Sequence, residues 1–131
     1  MNIKRGMIAL VAIATAGVAA LSLGAPAQAT GKNGVLESGE FGLYYSPNQQ
    51  GPVFDLYVSD SNFADDSFPG TGIPVNDNTA SYHNRDTFYW WVYTAANYGG
   101  NSGCLSPGYR GNASTEFRNK ISSARYLPYS C

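Results

Sequence analysis

Charge, sulfur and histidine are scarce in this sequence: of 131 residues only 13% are charged, and there are two cysteines, two methionines and one histidine. A lone His83 and the lack of any Cys-x-x-Cys spacing exclude the usual zinc sites. No nucleophile constellation accompanies His83, and the carboxylate pairs Glu37/Glu40 and Asp65/Asp66 fall in segments that read as exposed. Paired carboxylates catalyse only where a scaffold sets their separation and pKa, so no catalytic residue is assigned and the chain reads as a non-enzyme. After residue 30 Leu, Ala, Lys and Glu are sparse and no stretch keeps a helical period, which excludes a helical bundle. Cations are also too few for a nucleic-acid binder: without Lys4 and Arg5, six basic face nine acidic side chains, a net charge near −3.

What is present begins with a leader. Lys4 and Arg5 precede an apolar stretch over residues 7–23, followed by Gly24-Ala-Pro-Ala-Gln-Ala29. Small side chains at Ala27 and Ala29 suit a signal peptidase, placing cleavage between Ala29 and Thr30. The stretch is short for a membrane span, and no later segment is apolar enough for one. The expectation is a signal peptide over 1–29 and one secreted, extracellular domain over 30–131, with no membrane contact after cleavage. Both cysteines, Cys104 and Cys131, lie in the exported part, where an oxidising compartment favours their one possible intramolecular pairing.

All 18 aromatic residues follow the leader, among many Gly, Asn and Ser. Residues 30–34 are small and polar and read as a flexible start. Runs at 40–46 and 53–59 read as paired strands around the turn Pro47-Asn-Gln-Gln-Gly-Pro52, with Phe54, Leu56 and Val58 facing the core. Residues 60–78 read as loop, 87–94 (TFYWWVYT) as the clearest strand, and 97–103 as another turn. The fold class is all-β.

The sequence also repeats itself. Tyr93-Thr-Ala-Ala-Asn-Tyr98-Gly-Gly100 has an aromatic at its first and sixth positions and Gly at its eighth; Tyr44-Tyr-Ser-Pro-Asn-Gln49-Gln-Gly51 keeps the first aromatic and the Gly. Asp77-Asn-Thr-Ala-Ser81 follows the first copy, and Arg118-Asn-Lys-Ile-Ser122-Ser123 the second. Two Greek-key units are implied.

The aromatic-to-Gly corner with a downstream Asn/Asp pair and Ser resembles the βγ-crystallin motif. Within that superfamily the chain is most similar to the small secreted bacterial metalloproteinase inhibitors, on Ser38-Gly-Glu-Phe-Gly-Leu-Tyr44, residues 93–100, Cys104 and Asn119-Lys-Ile-Ser-Ser123. The resemblance implies a two-sheet βγ-crystallin-like β-sandwich without catalytic apparatus. It departs from the family pattern where Gly42 replaces an early cysteine, where Gln49 replaces the second corner aromatic, and where Tyr109 stands near a loop-closing cysteine.

By that resemblance the function is inhibition of a secreted protease, in particular a metalloprotease, through a rigid loop at Gly103, Cys104 and Leu105, with the protein acting as a monomer. Rigidity favours binding because the ordering entropy is already lost. The alternative is a non-catalytic extracellular module binding calcium, a glycan or cell wall, with a toxin-like or antimicrobial role. No cofactor is required. Calcium is the one candidate, its oxygen ligands by resemblance being Asp77, Asn78, Ser81, Asn119 and Ser122, although Arg118 brings a positive charge and Tyr82 follows Ser81 where a Ser is expected. For a glycan the candidates are Tyr89, Trp91, Tyr93 and Tyr98, whose flat faces can stack on sugar rings.

Overall fold

The computed structural model describes residues 29–131. The signal-peptide reading lies outside these residues except for Ala29. Among the described residues seven strands form two antiparallel sheets: β1 (Phe41–Ser46), β2 (Gln50–Leu56), β3 (Ser81–Asn84), β4 (Tyr89–Ala95), β5 (Gly99–Leu105), β6 (Arg110–Asn112) and β7 (Ser123–Leu127). The first sheet has the order β2-β1-β3-β6 and the second β5-β4-β7. No helix among the described residues is long and apolar enough to cross a membrane.

Each half of the chain opens with a hairpin, β1–β2 or β4–β5, and closes with a strand that returns beside the first member, β3 or β7. The two halves exchange their remaining segments. β6 leaves the second half to pair with β3, and Asp60 leaves the first half to bridge to Ala124 in β7. Neither half completes its sheet without a segment of the other.

The aromatic content explains the core. Phe41 stacks on Trp90 across the two sheets at 4.9 Å, Phe54 meets Phe63 edge-on at 5.2 Å, and Tyr126 lies 5.4 Å from Trp90. Strand alternation puts Trp90 and Val92 inward. Phe54 and Leu56 are buried too, whereas Val58, past the end of β2, is exposed.

Three segments differ from expectation. Residues 60–78 are not surface loop alone: they carry a short 3-10 turn, Phe63–Asp65, and send Phe63, Phe68 and Val75 into the core. The Gly-rich run taken as a turn at 97–103 turns only at its start and then becomes β5. This is an edge strand, and Gly103 leaves room for the Phe117 ring, which a Cβ would approach to 3.2 Å.

The third difference is the start of the domain. Residues 30–34 are held rather than flexible, because the buried Asp55 carboxylate accepts the Asn33 and Gly34 N–H groups at 3.0 and 2.7 Å. Glu40, read as exposed, is completely buried and accepts the Gly31 and Glu37 N–H groups at 2.8 and 2.9 Å. Gly42 lies beneath this segment, where any Cβ would come within 2.9 Å of Leu36. The residue that replaces the early cysteine is thus the one that lets the N-terminal segment pack closely.

Candidate functional site

The repeat becomes geometry at two corners. Asn48, Gln49 and Gly51 have φ of 61°, 55° and 75°; Asn97, Tyr98 and Gly100 have 58°, 61° and 73°. A Cβ on Gly100 would fall 2.4 Å from Thr94 Oγ1, so this place admits only glycine. Ser81 Oγ donates to Ser46 O and accepts from Gln49 N–H, and Ser123 Oγ donates to Ala95 O and accepts from Tyr98 N–H. The equivalent of Ser81 is therefore Ser123 and not Ser122. On this register Asp77 matches Asn119, both with φ of 59°, and Ala80 stands where the second half has Ser122.

This register changes the calcium reading. Asp77 and Ser122 do meet, with Ser122 Oγ donating to Asp77 Oδ1 at 3.1 Å, and Asp77 N–H bonds Ile121 O just as Asn119 N–H bonds Thr79 O. The Ser81 hydroxyl is engaged at the corner, donating once and accepting once. Asn78 turns its amide toward Pro74 O. Asn119 lines a cleft of about 450 Å³ with Ser46, Asn78, Ala80 and Arg118, where position 80 offers no hydroxyl and a guanidinium is present. Calcium takes six to eight oxygen ligands, so the donor set fits poorly at Asn119 and partly at Asp77–Ser122.

The acidic group that could hold a metal lies elsewhere, at Glu37, Glu40 and Asp55, whose carboxylate oxygens lie within 4.8 Å of one another. Glu40 and Asp55 already bind backbone N–H groups. Burial pushes the Glu40 carboxyl up to about 7, helped by the charges of Asp55 and Glu37 and opposed by its two N–H bonds. Nearby, Lys32 bridges Asp60 and Asp66 at 2.8 and 3.1 Å. Burial and a hydrogen bond shared with Asp60 push Asp66 up to about 6, against the pull of Lys32. Asp55 thus fastens the N-terminal segment to β2, and Asp60 and Asp66 fasten Lys32 to the segment that follows it.

On the outer face of the second sheet Tyr89 and Trp91 lie 6.5 Å apart. Tyr93 and Tyr98 are not open to a sugar in the same way: the Arg125 guanidinium lies 4.5 Å from the Tyr98 ring centre, and Arg125 Nε donates to Tyr93 OH. Half of the expected aromatic platform is thus covered by a cation.

The end of β5 is tied to the C-terminus. Cys104 and Cys131 form a disulfide with Cα atoms 5.8 Å apart, as the sequence implies, and Ser106 Oγ lies 3.7 Å from Cys131 Sγ. Gly103, Cys104 and Leu105 are the last residues of β5 and are half-buried; the loop begins after them. The side chain of Leu105 packs against the core, and its carbonyl accepts from Asn84 Nδ2 at 2.9 Å. Pro107, Gly108 and Tyr109 then stand exposed in a turn closed by Tyr109 N–H to Ser106 O at 3.0 Å. Sequence reasoning passed over Asn84, which nothing local marks as special.

Two crossed Greek keys with paired positive-φ corners define a βγ-crystallin-like domain, and solved structures agree. The chain is similar to a βγ-crystallin domain bearing on the evolution of the eye-lens fold, with 18% identity and a TM-score of 0.59 over 81% of this chain and 96% of that one. A βγ-crystallin from an archaeon shows 27% identity and a TM-score of 0.52 over 70% and 100% of the two chains. A βγ-crystallin domain from Flavobacterium johnsoniae shows 25% identity and a TM-score of 0.55 over 70% and 97%. No match is found among curated proteins.

The model of peptidase inhibitor family I36 matches residues 29–105, more than half of the sequence, and the chain belongs to that family. It is a family of inhibitors and not of enzymes, and membership implies a protease partner.

Proposed function

We propose that this protein is a secreted inhibitor of a metalloprotease, acting as a monomer through the end of β5 around Gly103, Cys104 and Leu105 and the turn that follows. The observation that carries this reading is the disulfide between Cys104 and Cys131, which staples the C-terminal residue to the end of an edge strand directly before an exposed turn. An edge strand gives an enzyme backbone groups to pair with, and a turn already rigid pays little ordering entropy on binding. Secretion suits the same feature, since such a staple persists in an oxidising compartment. Neither a nucleic acid nor a membrane is needed as a partner.

Titrating a thermolysin-like metalloprotease with the purified protein tests this reading. Stoichiometric inhibition is expected. Full protease activity at excess of folded protein would refute it, and would return attention to a binding module.

A further inference from the structure

We propose that the protease-contacting element is the turn at residues 106–109, with Tyr109 as its specificity residue and Asn84 as the positioning residue that keeps it rigid. The proposal rests on the inhibitor reading and deepens it. Leu105 is poorly placed to enter an enzyme pocket, since its side chain faces the core and its carbonyl is bonded to Asn84. Tyr109, by contrast, is 56% exposed and follows the exposed Pro107 and Gly108.

Asn84 is completely buried at the end of β3, and every one of its polar groups is engaged. Its N–H donates to Tyr109 O at 2.8 Å and its carbonyl accepts from Gly108 N–H at 2.9 Å. Its Nδ2 donates to Leu105 O and Phe88 O, while Oδ1 accepts from Asp86 N–H. One buried residue thus ties the entry, the tip and the exit of the turn. Pro107 restricts the turn further, and Gly108 supplies the φ of +86° that the position after such a proline needs in this turn type. A Cβ on Gly108 would meet nothing within 4 Å, so the glycine serves conformation and leaves the tip clear for a partner.

The surroundings indicate the partner's chemistry. Arg110 is exposed at the exit of the turn, while the exposed Arg85 donates its guanidinium to Leu36 O at 2.8 Å; burial first, then these two charges, hold the His83 pKa below its ordinary value. An aromatic tip followed directly by the exposed Arg110 suits a protease whose pocket accepts a large apolar or aromatic side chain and whose rim is acidic.

The test compares the purified protein with Tyr109→Ala, Tyr109→Phe, Pro107→Gly and Asn84→Ala against a thermolysin-like and a subtilisin-like protease, with amide exchange followed at Gly108 and Tyr109. Tyr109→Ala is expected to weaken inhibition by about tenfold or more at unchanged melting temperature, and Tyr109→Phe to retain it. Loosening the turn through Asn84→Ala, or from outside through Pro107→Gly if the first fails to fold, is expected to speed exchange at Gly108 and to turn the inhibitor into a substrate cut within residues 105–110. Wild-type inhibition by both Tyr109→Ala and Pro107→Gly would overturn the proposal while leaving the inhibitor reading intact. Failure of the unmodified protein against both proteases would remove that reading and this proposal with it.

Discussion

Ser81 and Ser123 hold the same post in the two halves of the molecule. Each hydroxyl donates at 2.7 Å to a carbonyl that opens a corner, Ser46 O or Ala95 O, and accepts the N–H of the second positive-φ residue, Gln49 or Tyr98. Both serines are buried. Removing either hydroxyl leaves a part-buried N–H and a part-buried carbonyl without their partner, so Ser81→Ala and Ser123→Ala are each expected to cost about 1–3 kcal/mol in urea unfolding. A cost near zero at both positions would contradict the corner's role.

Much of this architecture is legible in the sequence. The Tyr44–Gly51 and Tyr93–Gly100 likeness gives the two corners, and alternation gives β4, though not which of its two apolar faces turns inward. The off-by-one register downstream was not legible, because Ser122-Ser123 offers two serines to match with Ser81 and only the corner hydrogen bonds choose between them. β5 was masked by its glycines, which signal turns yet are tolerated in an edge strand facing Phe117. The burial of Glu40 leaves no local trace, since its partners are backbone N–H groups at Gly31 and Glu37. Asn84 is hidden for the same reason: its bonds run to Leu105, Gly108 and Tyr109, far along the chain.

The pH dependence of stability should bear the mark of Glu40 and Asp66. A carboxyl whose folded pKa exceeds its unfolded value adds stability that is full below the unfolded value and is lost as pH rises through the folded one. The windows are 4.5 to about 7 for Glu40 and 3.8 to about 6 for Asp66. Asp60 acts in the opposite sense: burial pushes it up, but Lys32 and the bond with Asp66 bring it below 3.8, so its contribution is lost only in stronger acid. The melting temperature is therefore expected to fall between pH 5 and pH 8, and Glu40→Gln to flatten that fall whatever its overall stability. A melting temperature that rises over this range would count against the account.

Opening the disulfide should destabilise the whole domain. It closes a loop with a sequence separation of 27, for which chain entropy gives about 3–4 kcal/mol. Cys104→Ser with Cys131→Ser is expected to lose that amount in denaturant unfolding. A change well below 1 kcal/mol would show that the bond only tethers the C-terminus.

Calcium should find at most one place. Calorimetric titration is expected to give no more than one site per chain, with Asp77→Ala removing any calcium-dependent rise in melting temperature. Two equal sites would contradict the reading of Ala80 and Arg118 as residues that disable the Asn119 half.

Inhibition itself is the most direct measurement: a thermolysin-like metalloprotease titrated with the purified protein, with and without reductant. The account predicts sub-micromolar inhibition that is lost when the Cys104–Cys131 bond is reduced. Undiminished protease activity in the presence of the folded, oxidised protein would contradict it.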